Sequence, residues 1–279
     1  MAEQLIEVSG VELCTEAFGE RSDPPVLLIH GAGASMLWWE EGFCRMLTDR
    51  GRFVIRYDHR DTGRSVTYPP GHPGYSGADL THDALGVLDA YGLSAATVVG
   101  ISAGGGMAQE VALERPGRAT ALVIISSSPA VPVGRRLSPP TGAFGDALAT
   151  LDVDWDDPVS VVDGLVDYSR VLNGDVRPFD EAAARVLVTA DVRRARDPAA
   201  AQNHDLLDDG GEITAPLSAI TAPTLVIHGT ADPLFPLDHG RALAEAIPGA
   251  TLLTLDGAGH GVDRRDWPAI VDAITALPT

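Results

Sequence analysis

Short, continuous apolar runs recur along the chain and alternate with stretches of helical spacing. The runs Pro25-Val26-Leu27-Leu28-Ile29-His30, Arg52-Phe53-Val54-Ile55-Arg56-Tyr57 and Pro223-Thr224-Leu225-Val226-Ile227-His228 read as strands buried on both faces, as do residues 96–101, 119–125 and 250–255. Between them, residues 79–91 place Leu80, Ala84, Leu85 and Leu88 on one helical face. Further helices are expected around Trp38, Phe43 and Leu47, and over 103–114, 239–246 and 267–277. At the start, Leu5-Ile6-Glu7-Val8 and Val11-Glu12-Leu13-Cys14 flank Ser9-Gly10, the signature of a β-hairpin. The alternation stops over 128–218, a Pro-, Asp- and Ala-rich segment with helical pieces near 159–172 and 180–192. The pattern predicts an α/β fold: a mostly parallel central sheet flanked by helices, built from 1–127 and 219–279, with 128–218 as a helical insertion.

Ligands on such sheets bind beyond the carboxyl ends of the strands, so the residues there carry the candidate chemistry. Gly100-Ile101-Ser102-Ala103-Gly104 stands between a strand and a helix. A turn that sharp leaves no room for a Cβ two residues either side of its apex, and glycine has none. Ser102 at the apex is the candidate nucleophile. A serine hydroxyl needs a base, and the base needs an orienting group. His260, in the small-residue loop Asp256-Gly257-Ala258-Gly259-His260-Gly261, is the candidate base. Asp232, in Gly229-Thr230-Ala231-Asp232-Pro233, is the candidate orienting acid, since the strand after the elbow helix ends in Ser126-Ser127-Ser128 with no carboxylate. Asp205, Asp208 and Asp209 read as an acidic helical surface. Oxyanion donors are expected from the backbone N–H groups of Ala103 and of Ala32, the latter in His30-Gly31-Ala32-Gly33. Trp38 and Trp39 are candidate pocket residues with a competing core role, and His59 is placed near the strand ends, where it lines the site. His228 ends a strand as His30 does, and is a decoy for the base; His72, His82, His204 and His239 are expected in solvent.

Composition narrows the partners. The formal net charge is −19, and all 20 basic residues are arginines. An acidic surface repels phosphate backbones and anionic lipid, which disfavours nucleic-acid and membrane roles. Without lysine there is no Schiff-base chemistry and no phosphate-binding P-loop. No run reaches the roughly 18 apolar residues of a membrane span. The N-terminus has no basic segment followed by an apolar one, and Cys14 and Cys44 make neither a disulfide framework nor a metal site. A cytoplasmic protein without metal or cofactor is expected. The oligomeric state is open, a homodimer included.

The four motifs His30-Gly31-x-Gly33, Gly100-x-Ser102-x-Gly104, Gly229-x-x-Asp232-Pro233 and Gly257-x-Gly259-His260 resemble, in order and spacing, those of the α/β-hydrolase superfamily over nearly the whole chain outside the insertion. Asp58-His59-Arg60-Asp61-Thr62-Gly63-Arg64-Ser65 is similar to the loop of a subgroup that includes the methylesterases of anthracycline polyketides (aclacinomycin methylesterase-like). One departure is Ala103, where that subgroup carries methionine; it widens the space beside Ser102. The resemblance implies an α/β-hydrolase fold and a Ser-His-Asp hydrolase of hydrophobic carboxylic esters or lactones. The insertion would be a cap whose aromatics Phe144, Trp155, Tyr168 and Phe179 face a small-molecule substrate. Asp58 and Arg60 would form a loop-stabilising network. The same fold also serves cofactor-free perhydrolases of the haloperoxidase type, C–C bond hydrolases and non-catalytic ligand-binding proteins, and fold alone does not choose among them.

Overall fold

The structure is a computed structural model that describes residues 2–208 and 213–278. Asp209, part of the acidic stretch noted above, lies outside the described residues.

Eight strands form one sheet in the order β1-β2-β4-β3-β5-β6-β7-β8. They are β1 (Gln4–Val8), β2 (Val11–Phe18), β3 (Pro25–Ile29), β4 (Phe53–Tyr57), β5 (Ala96–Ile101), β6 (Ala119–Ile125), β7 (Thr224–Gly229) and β8 (Thr251–Leu255). The first hairpin turns at Ser9 and Gly10, both at positive φ, and sits at the sheet edge. β2 runs antiparallel to β4, and every later pairing is parallel.

The uninterrupted apolar runs follow from coverage of both faces. Successive strand residues point to opposite sides. Leu27, Ile29, Val98, Leu122, Ile124 and Val226 join one core, packed by α2 (Gly77–Ala90), α3 (Ala103–Glu114) and α7 (Asp238–Ala246). Val26, Leu28, Val99, Val123, Ile125 and Ile227 join the other, packed by α1 (Glu41–Thr48) and α8 (Trp267–Thr275). The helix expected around Trp38 is broken: a 3-10 turn, Met36–Trp38, precedes α1.

From β3 the chain first moves to β4 on one side and then to β5 on the other. The strand order therefore reverses between β3 and β5, where a crevice opens beyond their carboxyl ends. The register Ile29↔Gly100 brings the two following loops level with each other.

Between β6 and β7 the described residues hold α4 (Gly142–Leu148), α5 (Pro158–Asn173), α6 (Glu181–Arg194) and a 3-10 segment, Pro198–Leu206, with no strand among them. α5 opens on an Asp157 side-chain cap with Pro158 in its first turn and stops at Gly174, φ 69°. This is the usual asymmetry of proline inside the start and glycine past the end.

Candidate active site

Ser102 leaves β5 at φ 55°, ψ −123°, a region that strains an L-residue and persists only where the surroundings over-determine it. The surroundings are glycines under close contact. A Cβ on Gly100 would strike the Gly104 carbonyl, and a Cβ on Gly104 would strike the His30 and Ile29 carbonyls. One on Gly105 would stand 2.6 Å from the Ser127 Cβ. All of these atoms are backbone or short side chain, so nothing can swing aside. Gly31 faces the elbow directly: its Cβ would lie 3.0 Å from the Ser102 Cβ and 3.5 Å from Oγ.

The loop Gly31–Ala34 therefore arches over Ser102. Gly31 N–H donates to His30 Nδ1 at 2.7 Å, and Gly33 N–H donates to His204 Nδ1 at 2.8 Å. Ala34 N–H reaches the Gly31 carbonyl at 3.4 Å. Among the described residues the Ala32 N–H has no protein acceptor. The Ala103 N–H, first in α3, has no intrahelical acceptor by helix geometry. Both flank the crevice, and both residues line it.

His260 Nδ1 lies 2.8 Å from Asp232 Oδ2, with both side chains buried. Asp232 Oδ1 accepts from the Leu234 and Phe235 N–H groups, each at 2.9 Å. The carboxylate is thus fixed by its own turn, and its other oxygen is presented to the imidazole. Among the described residues, His260 Nε2 is buried with no hydrogen-bond partner. The loop around it is clamped. Ala231 N–H bonds the Ala258 carbonyl at 2.9 Å, and His260 N–H bonds the Leu172 carbonyl at the end of α5 at 2.8 Å. Gly259 is pressed against the Leu172 and Asn173 carbonyls, where no Cβ fits. The insertion thus helps hold the imidazole. Phe235 packs edge-on to it at 5.5 Å.

Ser102, Ala32, Ala103 and His260 line one cavity of about 1340 Å³, together with Trp38 and Trp39. Trp39 also belongs to the core beneath. Phe144, Trp155, Tyr168 and Phe179 of the insertion line the same cavity. Asp232 stands behind His260. Both tryptophans thus border the cavity, and Trp39 is also packed in the core.

His59 is corrected by the structure. It is fully buried behind the loop, is absent from the cavity wall, and bonds the His30 carbonyl through Nε2 at 3.1 Å. That bond and edge-on contacts with the rings of Tyr57 at 5.0 Å and His204 at 5.9 Å enclose it. Burial pushes the imidazoles of His59 and His30 down to about 3, so both stay neutral. His204 and His239, expected in solvent, are also tied in. His239 bonds Ser128 Oγ and the Ser138 carbonyl, both at 2.9 Å, and is buried. The decoy His228 bonds the Phe235 carbonyl at 2.7 Å, and burial lowers its pKa.

Asp58 and Arg60 form the expected network. Asp58 accepts from the Met36 and Arg64 N–H groups and pairs with Arg194 of α6 at 2.7 Å. Arg60 is bidentate on the buried Asp83 at 2.7 and 2.8 Å. Sequence reasoning missed Phe235, Asp191 and Arg194. Asp191 accepts from Trp38 Nε1 at 2.7 Å and lines the cavity. Phe235, three residues beyond Asp232, was within reach of the motif; the α6 residues had no local signal.

An arched small-residue loop, a strained serine elbow and a carboxylate–imidazole pair at the reversal point of a doubly wound sheet define an α/β hydrolase. Residues 24–262 match the α/β hydrolase fold family, and the chain belongs to it. Among known proteins it is similar to the rhodomycin D methylesterase DauP of Streptomyces sp. (strain C5), 34% identical over 99% of this chain and 98% of that protein. It is likewise similar to the rhodomycin D methylesterase DnrP of Streptomyces peucetius, 32% identical over 99% and 98%. A solved hydrolase from Pseudomonas aeruginosa PA01 superposes with a TM-score of 0.70 at 27% identity, covering 98% of this chain and 96% of that one. Among the described residues no helix is long and apolar enough to cross a membrane.

Proposed function

We propose that this hydrolase cleaves carboxylic esters through Ser102, His260 and Asp232, without a cofactor. The observation that carries the reading is the His260 imidazole. Its Nδ1 is committed to Asp232, and its Nε2, in the wall it shares with Ser102, is buried without a hydrogen-bond partner among the described residues. With Nδ1–H donating to the carboxylate, Nε2 is the bare nitrogen that a base requires.

In this scheme Nε2 takes the Ser102 Oγ proton as Oγ bonds the ester carbonyl carbon. The carbonyl oxygen becomes an oxyanion and accepts from the Ala32 and Ala103 N–H groups. The intermediate collapses, the C–O bond to the alcohol breaks, and the imidazolium gives the leaving oxygen its proton. Water then gives a proton to Nε2 and attacks the acyl-enzyme, which releases the acid and returns the proton to Ser102.

The cavity exceeds the roughly 300–1,000 Å³ of ordinary small-molecule sites, which supports a bulky substrate. Its walls are rich in aromatic and aliphatic groups, and two full-length relatives are named as methylesterases of a rhodomycin. We infer a methyl ester of a large hydrophobic polyketide, with residues 128–218 as the cap that shapes its enclosure and a substrate that is neither nucleic acid nor membrane.

The test is intact-mass analysis after exposure to a fluorophosphonate probe, with peptide mapping and ester turnover in parallel. One adduct on Ser102 is expected, absent in Ser102→Ala and in His260→Ala. Unchanged ester turnover in folded Ser102→Ala overturns the reading.

A further inference from the structure

We propose that His204, carried by the insertion, is a positioning residue for the oxyanion loop: its imidazole holds Gly33 and so aims the Ala32 N–H. The inference rests on the Ser102 reading above.

The loop needs such a support. His30-Gly31-Ala32-Gly33 has almost no side chain with which to pack, Ala32 and Gly33 are exposed, and Gly33 sits at φ 70°, where only glycine rests easily. Its geometry is set by the bonds its amides make. Gly31 N–H is held from within the loop, by His30 Nδ1. Gly33 N–H is held from outside, by His204 Nδ1 at 2.8 Å. Ala32 lies between these two fixed points, so the direction of its N–H follows from them.

His204 is a firm anchor because its other nitrogen is also committed. An Nδ1 that accepts from a backbone N–H leaves the proton on Nε2, and Nε2–H donates to the Arg60 carbonyl at 2.8 Å. Arg60 is in turn locked to Asp83 of α2. The neighbour Asn203 pins the same 3-10 segment to the core. Its Nδ2 bonds Asp61 Oδ2 at 2.8 Å and the Pro69 carbonyl at 3.2 Å, and its Oδ1 accepts Gly71 N–H at 2.7 Å. A chain of bonds thus runs from Asp83 through Arg60 and His204 to Gly33. The insertion therefore reaches the reaction centre at two points: through Leu172 to His260, and through His204 to the oxyanion loop.

A misaimed oxyanion donor weakens transition-state binding and leaves ground-state binding untouched. Two variants separate this role from general support. His204→Phe keeps the ring and loses both bonds. In His204→Asn the amide oxygen takes the place of Nδ1 and accepts from Gly33 N–H, while the Arg60 bond is lost. Kinetics are measured with 4-nitrophenyl acetate and hexanoate on full-length enzyme, with melting temperature as the folding check.

His204→Phe is expected to lower kcat about 10- to 100-fold, below the loss from deleting a donor outright, with KM within about twofold. His204→Asn is expected to recover most of the loss. A His204→Phe kcat within about twofold of wild type overturns the proposal, and so does an equal loss in both variants or a joint rise in KM. If His204→Phe does not fold, His204→Gln replaces it. Its longer amide meets Arg60 but not Gly33, so the same kcat loss is expected and an unchanged kcat refutes the role. Wild type and Ser102→Ala are run on the same esters. Equal turnover in those two sinks the serine reading and the proposal with it, whereas a labelled, active wild type beside an undiminished His204 variant sinks the His204 role alone.

Discussion

Asp232→Asn changes one atom and, by the geometry, disables the base. The Oδ1 position accepts two backbone N–H groups, from Leu234 and Phe235, each at 2.9 Å. In the variant the amide oxygen must occupy that position. The reverse orientation would set an NH2 against two donors and leave both unsatisfied, at about 1–3 kcal/mol each. The NH2 therefore falls where Oδ2 was, 2.8 Å from His260 Nδ1. Two donors cannot face each other, so Nδ1 gives up its proton and the ring carries it on Nε2 instead. That nitrogen can no longer accept from Ser102. Loss of tautomer control in a Ser-His-Asp enzyme costs about 10⁴ in kcat, or roughly 5.5 kcal/mol of barrier. The assay is kcat on 4-nitrophenyl butyrate, with melting temperature to show that the isosteric variant folds. A folded variant within about tenfold of wild type would refute the reasoning, because it would mean that the Nδ1 contact does not set the protonation of Nε2.

Two further outcomes concern stability. Arg60→Met strands the buried Asp83 carboxylate, and burial already pushes that group up. A loss of about 3–5 kcal/mol is expected in urea denaturation; a loss below about 1 kcal/mol would mean that Asp83 finds another partner or simply protonates. Acid should also weaken the fold through His30 and His59, whose folded pKa values of about 3 lie below the usual histidine range. The sign follows from proton counts. Below pH ~6.5 the unfolded chain binds protons that the folded one refuses, so stability is complete above that pH and falls as pH drops toward about 3. At pH ~4.5 each group alone removes roughly 2–3 kcal/mol. His59→Gln removes one of them, and its urea midpoint should fall less steeply between pH 7.5 and 4.5 than that of wild type. Equal slopes would show that His59 does not titrate with unfolding.

The strands were legible because each is a local statement. A run such as Val26-Leu27-Leu28-Ile29 is apolar at every position only if both its faces are covered, and alternate residues do enter the two cores. The elbow was legible for a similar reason, since Gly100 and Gly104 mark where backbone approaches backbone. The histidines were not. His59, His204 and His239 carry the same side chain in similar polar surroundings of sequence. What each one touches comes from chain far away: His30, Gly33 and Ser128, respectively.

The sequence by itself determined the parallel sheet, the position of the helical stretch within it, and the candidate nucleophile, base and acid. Spacing, turn chemistry and side-chain type act over a few residues that are neighbours along the chain. Tertiary structure decided which face of each group is used. It set Asp232 Oδ2 on His260, sealed His59 behind the oxyanion loop, and brought Leu172 and His204 of one insertion onto the His260 loop and the oxyanion loop respectively. The physical reason is that a hydrogen bond reaches about 3 Å, while Gly33 and His204 stand 171 residues apart along the chain. Only the closure of the fold brings them within that reach.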